Sequence, residues 1–158
     1  MRDAAGAKGK SLNRQDPTGR VEPPASSERE VREPSPQADV LAKAVIDAAF
    51  EVHRELGPGF LESVYEEALA VELTIRRIPF ERQRPIAVKY KEHAVGEGRI
   101  DLLVAGELLV ELKAVEALAP IHKAQVISYL KAMRLHLGLL INFNVPVLKA
   151  GIQRIVLS

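Results

Sequence analysis

The sequence has no cysteine and no tryptophan, and four phenylalanines with three tyrosines make up its 4% of aromatic residues. The missing cysteine excludes disulfides, thiolate zinc sites and a cysteine nucleophile. It suits a reducing cytoplasm, the compartment expected here. No apolar run approaches the ~20 residues of a membrane span, so a soluble chain with no membrane partner is expected. Neither sign of charge dominates, with 22 Lys and Arg against 21 Asp and Glu and a net charge of +1. A strongly basic nucleic-acid binder has a different balance. What remains is ample: 158 residues, 47% of them hydrophobic, enough for one domain of common size with a tail.

Composition changes near residue 37. Residues 1–36 hold five of the ten prolines, and only Leu12, Val21 and Val31 as large aliphatic side chains. Such a segment cannot bury enough apolar surface to offset the entropy of ordering it. Residues 1–37 therefore read as a disordered N-terminal arm and residues 38–158 as the folded domain. The arm lacks the apolar core of a secretory signal. Seven of the 22 basic and six of the 21 acidic residues lie in 1–36, so the remainder carries fifteen of each. That neutrality, with few aromatics, fits weak or assisted nucleic-acid binding better than autonomous high affinity.

Leu41, Val45, Ala48, Val52 and Leu56 follow the spacing of one helix face, and Gly57-Pro58-Gly59 stops that helix. A second helix is predicted with Leu61, Val64, Ala68, Val71 and Ile75 as its buried stripe, ending near Arg77 because of Pro79. Strands are predicted over 85–91, 99–104 and 107–114. A turn begins at Glu92-His93, and the Ala105-Gly106 link makes the last two strands a hairpin. Pro120 suits the first turn of a third helix with the stripe Val126, Leu130, Met133 and Leu137, closed by Gly138. Strands over 138–142 and 152–156 complete the order α-α-β-β-β-α-β-β. This is an α/β domain, a mixed central sheet flanked by helices.

Three polar features interrupt these apolar patterns. Asp101 stands between Ile100 and Leu102; Glu111 and Lys113 close the run Leu108-Leu109-Val110; Gln125 and Tyr129 lie one turn apart on the third helix. Period-two geometry puts Glu111 and Lys113 on one strand face, and the hairpin brings Asp101 towards Glu111. Two adjacent carboxylates repel unless a cation lies between them, and oxygen-only ligation suits Mg²⁺ or Mn²⁺. Lys113 can orient or deprotonate water beside such a metal, the equipment of phosphodiester hydrolysis. Plainer readings stand alongside. Glu111 and Lys113 also fit an exposed ion pair at the end of an edge strand. Asp101 fits a strand-initiating residue, and Tyr129 a core-boundary one. Glu62 fits a helix start that favours acids. The histidines 53, 93, 122 and 136 lack metal spacing and read as surface or boundary residues, with only His122 near Lys113.

Gly59-Phe-Leu-Glu62-Ser-Val-Tyr65 resembles the G-x-x-E-x-x-Y signature of the GxxExxY proteins. The segments Gly96-Glu-Gly-Arg-Ile-Asp101, Val110-Glu-Leu-Lys-Ala-Val115 and Leu140-Ile-Asn-Phe-Asn-Val-Pro146 are also similar to that family. The resemblance covers about residues 38–158 and implies the PD-(D/E)XK nuclease-like superfamily, with a restriction-endonuclease-like core. It further implies a metal-dependent nuclease acting on DNA, with Asp101, Glu111 and the Leu112 backbone carbonyl as ligands to Mg or Mn. By the same resemblance Lys113 handles the attacking water and Glu62 completes the site, while Gln125 and Tyr129 support Lys113 or the nucleic-acid backbone. Gly59 and Tyr65 take structural roles, Gly59 in a loop where a side chain is expected not to fit. The alternative is a catalytically silent nucleic-acid-binding or protein-interaction module of the same fold. So short a chain has no separate recognition domain, so specificity is expected from a homodimer, a protein partner or the arm.

Overall fold

The structure is a computed structural model and describes residues 34–158. Most of the expected arm, residues 1–33, lies outside the described residues. Its inner boundary falls earlier than expected, because Pro36 and Gln37 already belong to helix α1 (Pro36–Leu56), whose N-cap Ser35 accepts a hydrogen bond from the Ala38 N–H. Helix α2 (Glu62–Ile75) follows, then strands β1 (Phe80–Tyr90), β2 (His93–Val104) and β3 (Leu108–Lys113). Helix α3 (Pro120–Met133), β4 (Leu137–Asn142), a 3₁₀ turn and β5 (Ile152–Val156) complete the chain.

The five strands form one sheet in the order β1-β2-β3-β4-β5, antiparallel throughout except for the β3–β4 pair. The parallel pair needs a crossover, and α3 supplies it. Alternation of side chains divides the core. Leu108, Val110 and Leu112 join Leu137, Leu139 and Ile141 under α1 and α2, while Leu109 and Leu140 pack with Val126 and Leu130 of α3. Because β3 lies inside the sheet, an edge-strand reading of Glu111 and Lys113 fails.

The second helix turns a different face inwards. Tyr65, Leu69 and Leu73 are buried, whereas the expected stripe is largely open, with Leu61 76%, Val71 58% and Ile75 66% exposed. The helix carries two apolar stripes at helical spacing, so periodicity alone does not choose between them. The stacking of Tyr65 on Phe143, with centroids 4.6 Å apart, anchors the chosen face. The third helix also ends earlier than Gly138. Arg134 turns left-handed at φ 56°, and Leu137 and Gly138 enter β4 instead of extending the helix. Gly138 has a packing role, since a Cβ there would lie 2.9 Å from a Val126 methyl.

The β1–β2 hairpin is longer than the sequence pattern indicates. Its turn is Lys91-Glu92, with φ 48° and 68°, one residue earlier than expected. Two successive positive φ values describe the tight hairpin turn whose twist matches its strands. β2 pairs with β3 only over Leu102, Leu103 and Val104, but with β1 from Val104 out to His93. Beyond the sheet the two strands form an arm in which every residue from 87 to 97 is exposed.

Candidate active site

The site grows from an irregularity in the sheet. Leu102 and Val104 face α1 and α2, yet Ile100 faces α3, so the alternation of β2 reverses across Asp101. Across the ladder, the pairs Arg82↔Leu102 and Arg84↔Ile100 bracket Gln83, which has φ 51°. A non-glycine residue in the left-handed region costs roughly 1–2 kcal/mol and marks a place where the surroundings impose the conformation.

Asp101 and Glu111 occupy the gap where the β2–β3 ladder stops. Each carboxylate accepts a backbone N–H from the other strand. Leu112 N–H donates to Asp101 Oδ2 at 2.8 Å, and Asp101 N–H donates to Glu111 Oε1 at 3.1 Å. Side chains have replaced the ladder bonds that would otherwise continue there. The Leu112 carbonyl points the same way. Lys113 O accepts Phe143 N–H at 2.9 Å on the β4 side, and successive carbonyls of a strand alternate, so that of Leu112 turns to the open β2 side.

Burial shapes the acids. Glu111 is only 3% exposed, and its carboxyl is pushed up to about 8, by burial first and then by the neighbouring Asp101 charge. Burial also raises Asp101, opposed by the Leu112 N–H. Glu62, the first residue of α2, stands at the solvent rim. Partial burial raises its carboxyl most, Asp101 and Glu66 raise it further, and Lys113 lowers it. Lys113 shares the α3 side of β3 with Glu111. Its Nζ lies 3.5 Å from Gln125 Oε1, and Gln125 Nε2 donates to the Tyr129 hydroxyl at 3.2 Å. The expected Gln125–Tyr129 turn therefore reaches Lys113 as a chain of contacts. His122 has a different duty, its Nδ1 accepting the Ala119 N–H at 3.0 Å to cap α3.

Residue patterns pointed to neither Glu66 nor Gln83. Glu66 is 9% exposed, bound by Arg82 and, at 2.6 Å, by the Gln83 amide. That amide also reaches Asp101 Oδ1 at 3.3 Å, linking α2 through β1 to the carboxylate. The available signal was the four-residue step from Glu62, which puts Glu66 on the same helix face. Asn142 is similar. Only 1% exposed, it holds both backbone groups of Val115 and so fixes the chain just beyond Lys113.

Tyr65 secures the entry to α2. Its hydroxyl donates to Gly57 O at 2.6 Å and accepts the Phe60 N–H at 3.1 Å, clamping the loop that delivers Glu62. Gly59 is needed for its φ of 108°. No atom lies within 4 Å of a Cβ built there, so backbone conformation, and not the expected lack of room, excludes a side chain. Tyr65→Phe removes both bonds from the part-buried Gly57 carbonyl and Phe60 N–H, and should lower stability by about 1 kcal/mol in urea unfolding. An unchanged midpoint would show that the loop holds itself.

A model described as the PD-(D/E)XK nuclease superfamily matches residues 39–155. The chain belongs to that superfamily. Neither a curated protein nor a solved structure matches it. The superfamily's core, a mixed sheet between helices, is the fold described above, and among the described residues no helix is long and apolar enough to cross a membrane. PD-(D/E)XK nucleases generally use divalent metals. The donor set suits one. Glu111 commits one oxygen to a backbone N–H and keeps the other, Asp101 commits one to a backbone N–H and meets the Gln83 amide with the other at 3.3 Å, and among the described residues no third acid closes a cage around them. Two carboxylates with open positions suit Mg²⁺, which retains several waters.

Proposed function

We propose that the protein is a metal-dependent nuclease hydrolysing phosphodiester bonds in DNA, of the GxxExxY type that Gly59, Glu62 and Tyr65 suggest. The observation that carries this reading is the buried pair Asp101 and Glu111 beside Lys113. A carboxyl held up to about 8 in a half-apolar gap is poorly placed unless a cation lowers it. Asp101, Glu111 and the Leu112 carbonyl would hold Mg²⁺ or Mn²⁺. Bound there, the ion would polarise a phosphoryl oxygen and acidify water. Lys113 orients or deprotonates the attacking water, and Gln125, itself held by Tyr129, keeps the ammonium directed. Glu62 waits at the rim, where its raised pKa lets it hold or give a proton to water. Glu66 and Gln83 fix Asp101.

Metal titration and cleavage test this together. Mg²⁺ or Mn²⁺ should raise the melting temperature, since a ligand of the folded state stabilises it by about 2.7 kcal/mol at a hundred times Kd. Asp101→Ala and Glu111→Ala should each abolish that response. Wild type should cut DNA only with the metal. If both variants respond like wild type, the metal site is wrong. Nucleic-acid binding without cleavage on any substrate would make the protein a binding module.

A further inference from the structure

Beside the candidate active site lies a groove whose walls belong to different elements. One is the outer part of β1, residues 84–89, with Glu92 of the turn; the other is α3 from Ser128 to Arg134. Its volume is about 720 Å³. Tyr129 lines it and also receives the Gln125 hydrogen bond, so the groove shares this residue with the contacts leading to Lys113. Gly98 makes that junction, for a Cβ there would stand 2.9 Å from the Tyr129 ring. The arm thus lies against α3 at Tyr129.

The lining is cationic above an apolar floor. Arg84 is engaged by Glu81 at 2.6 Å, but among the described residues Lys89, Lys131 and Arg134 form no ion pair. Glu92 is the acid in the lining. Ile86, Val88 and Met133 supply apolar surface between the charges. Three unpaired cations over apolar side chains match a strand of phosphates carrying flat apolar bases. The volume falls in the range of clefts that take small ligands.

We propose that this groove carries a single nucleic-acid strand to the carboxylate site, with Lys89, Lys131 and Arg134 holding its phosphates. The inference rests on the nuclease reading and names the form of its substrate. It also gives the arm a purpose, since a two-stranded ribbon exposed on both faces has little reason to persist without something to grip.

The test uses the full chain with a labelled oligothymidylate, in Ca²⁺ to hold cleavage back, across a salt series. The variant Lys89→Ala/Lys131→Ala/Arg134→Ala should weaken binding roughly 10- to 100-fold and reduce the slope of log K against log salt by about 2. A control variant, Lys43→Ala/Arg54→Ala/Lys149→Ala, removes the same charge elsewhere and should bind like wild type. In Mg²⁺, both variants should still hydrolyse bis(p-nitrophenyl) phosphate, a diester too small to need the groove. That activity also shows that the fold is intact. An unchanged salt slope in the groove variant, or an equal loss in the control, overturns the inference while small-diester hydrolysis leaves the nuclease reading standing. A duplex that competes as well as the single strand overturns the single-strand assignment. If wild type binds the strand through these cations yet hydrolyses neither substrate, the groove stands and the nuclease reading falls. If it neither binds nor hydrolyses, both fall.

Discussion

Lys113→Ala should reduce cleavage by about 10²–10⁴-fold while nucleic-acid affinity falls only a few-fold. The rate loss is the usual consequence of removing general acid–base help from a transition state. The modest affinity loss follows from deleting one phosphate contact among several, which flattens the salt dependence by about one charge. The geometry separates the two effects. The Lys113 side chain rests against Gln125, while the carboxylates bond to the backbone of Asp101 and Leu112, so truncating the lysine leaves both acids in place. The variant should keep its melting response to Mg²⁺. Single-turnover cleavage measured beside equilibrium binding decides the matter, and a parallel fall in both would count against water handling by Lys113.

Glu111→Gln should stabilise the metal-free protein, and increasingly so as pH rises. The folded-state pKa of about 8 stands above the ordinary glutamate value of 4.5, so the folded protein holds a proton that the unfolded chain releases. Stability from this group is fully present below pH ~4.5 and is lost progressively as pH climbs towards 8. At pH 7 the penalty is on the order of 3 kcal/mol, which the amide avoids while keeping an oxygen for the Asp101 N–H. Metal binding requires the ionised acid, so Mg²⁺ affinity of wild type should increase through the same pH range and protons should be released on binding. Urea unfolding of both proteins without metal, from pH 5 to 8, checks the sign. If the two curves run parallel, Glu111 does not carry the buried proton.

Much of this was legible from single residues. Helix α1, the Gly57 stop and the central strands follow from apolar spacing, because each such element buries one continuous stripe. Asp101, Glu111, Lys113, Gln125 and Tyr129 were visible as polar breaks in apolar runs. What sequence spacing could not show was selection between equals. Both stripes of α2 are apolar, and the contact of Tyr65 with Phe143, 78 positions away, decides which turns inward. Glu66 and Gln83 were hidden for a related reason. An acid on a helix and an amide on a strand are ordinary, and only the reversal of β2 at Asp101 brings them to one carboxylate. Helix α3 ends at Arg134, a residue of no special turn propensity, because β4 must enter the sheet there.

The cross-bracing of β2 and β3 bears on how related chains would diverge. Asparagine and glutamine could accept the same two backbone hydrogens as Asp101 and Glu111, and would do so without bringing a charge into the gap. A descendant that had abandoned the reaction would gain stability by drifting to those amides, while its sheet stayed aligned. Retention of both acids against that drift would mark a lineage still under selection for the cation. Loss of Lys113 alone would mark one that still binds the ion but has ceased to cut.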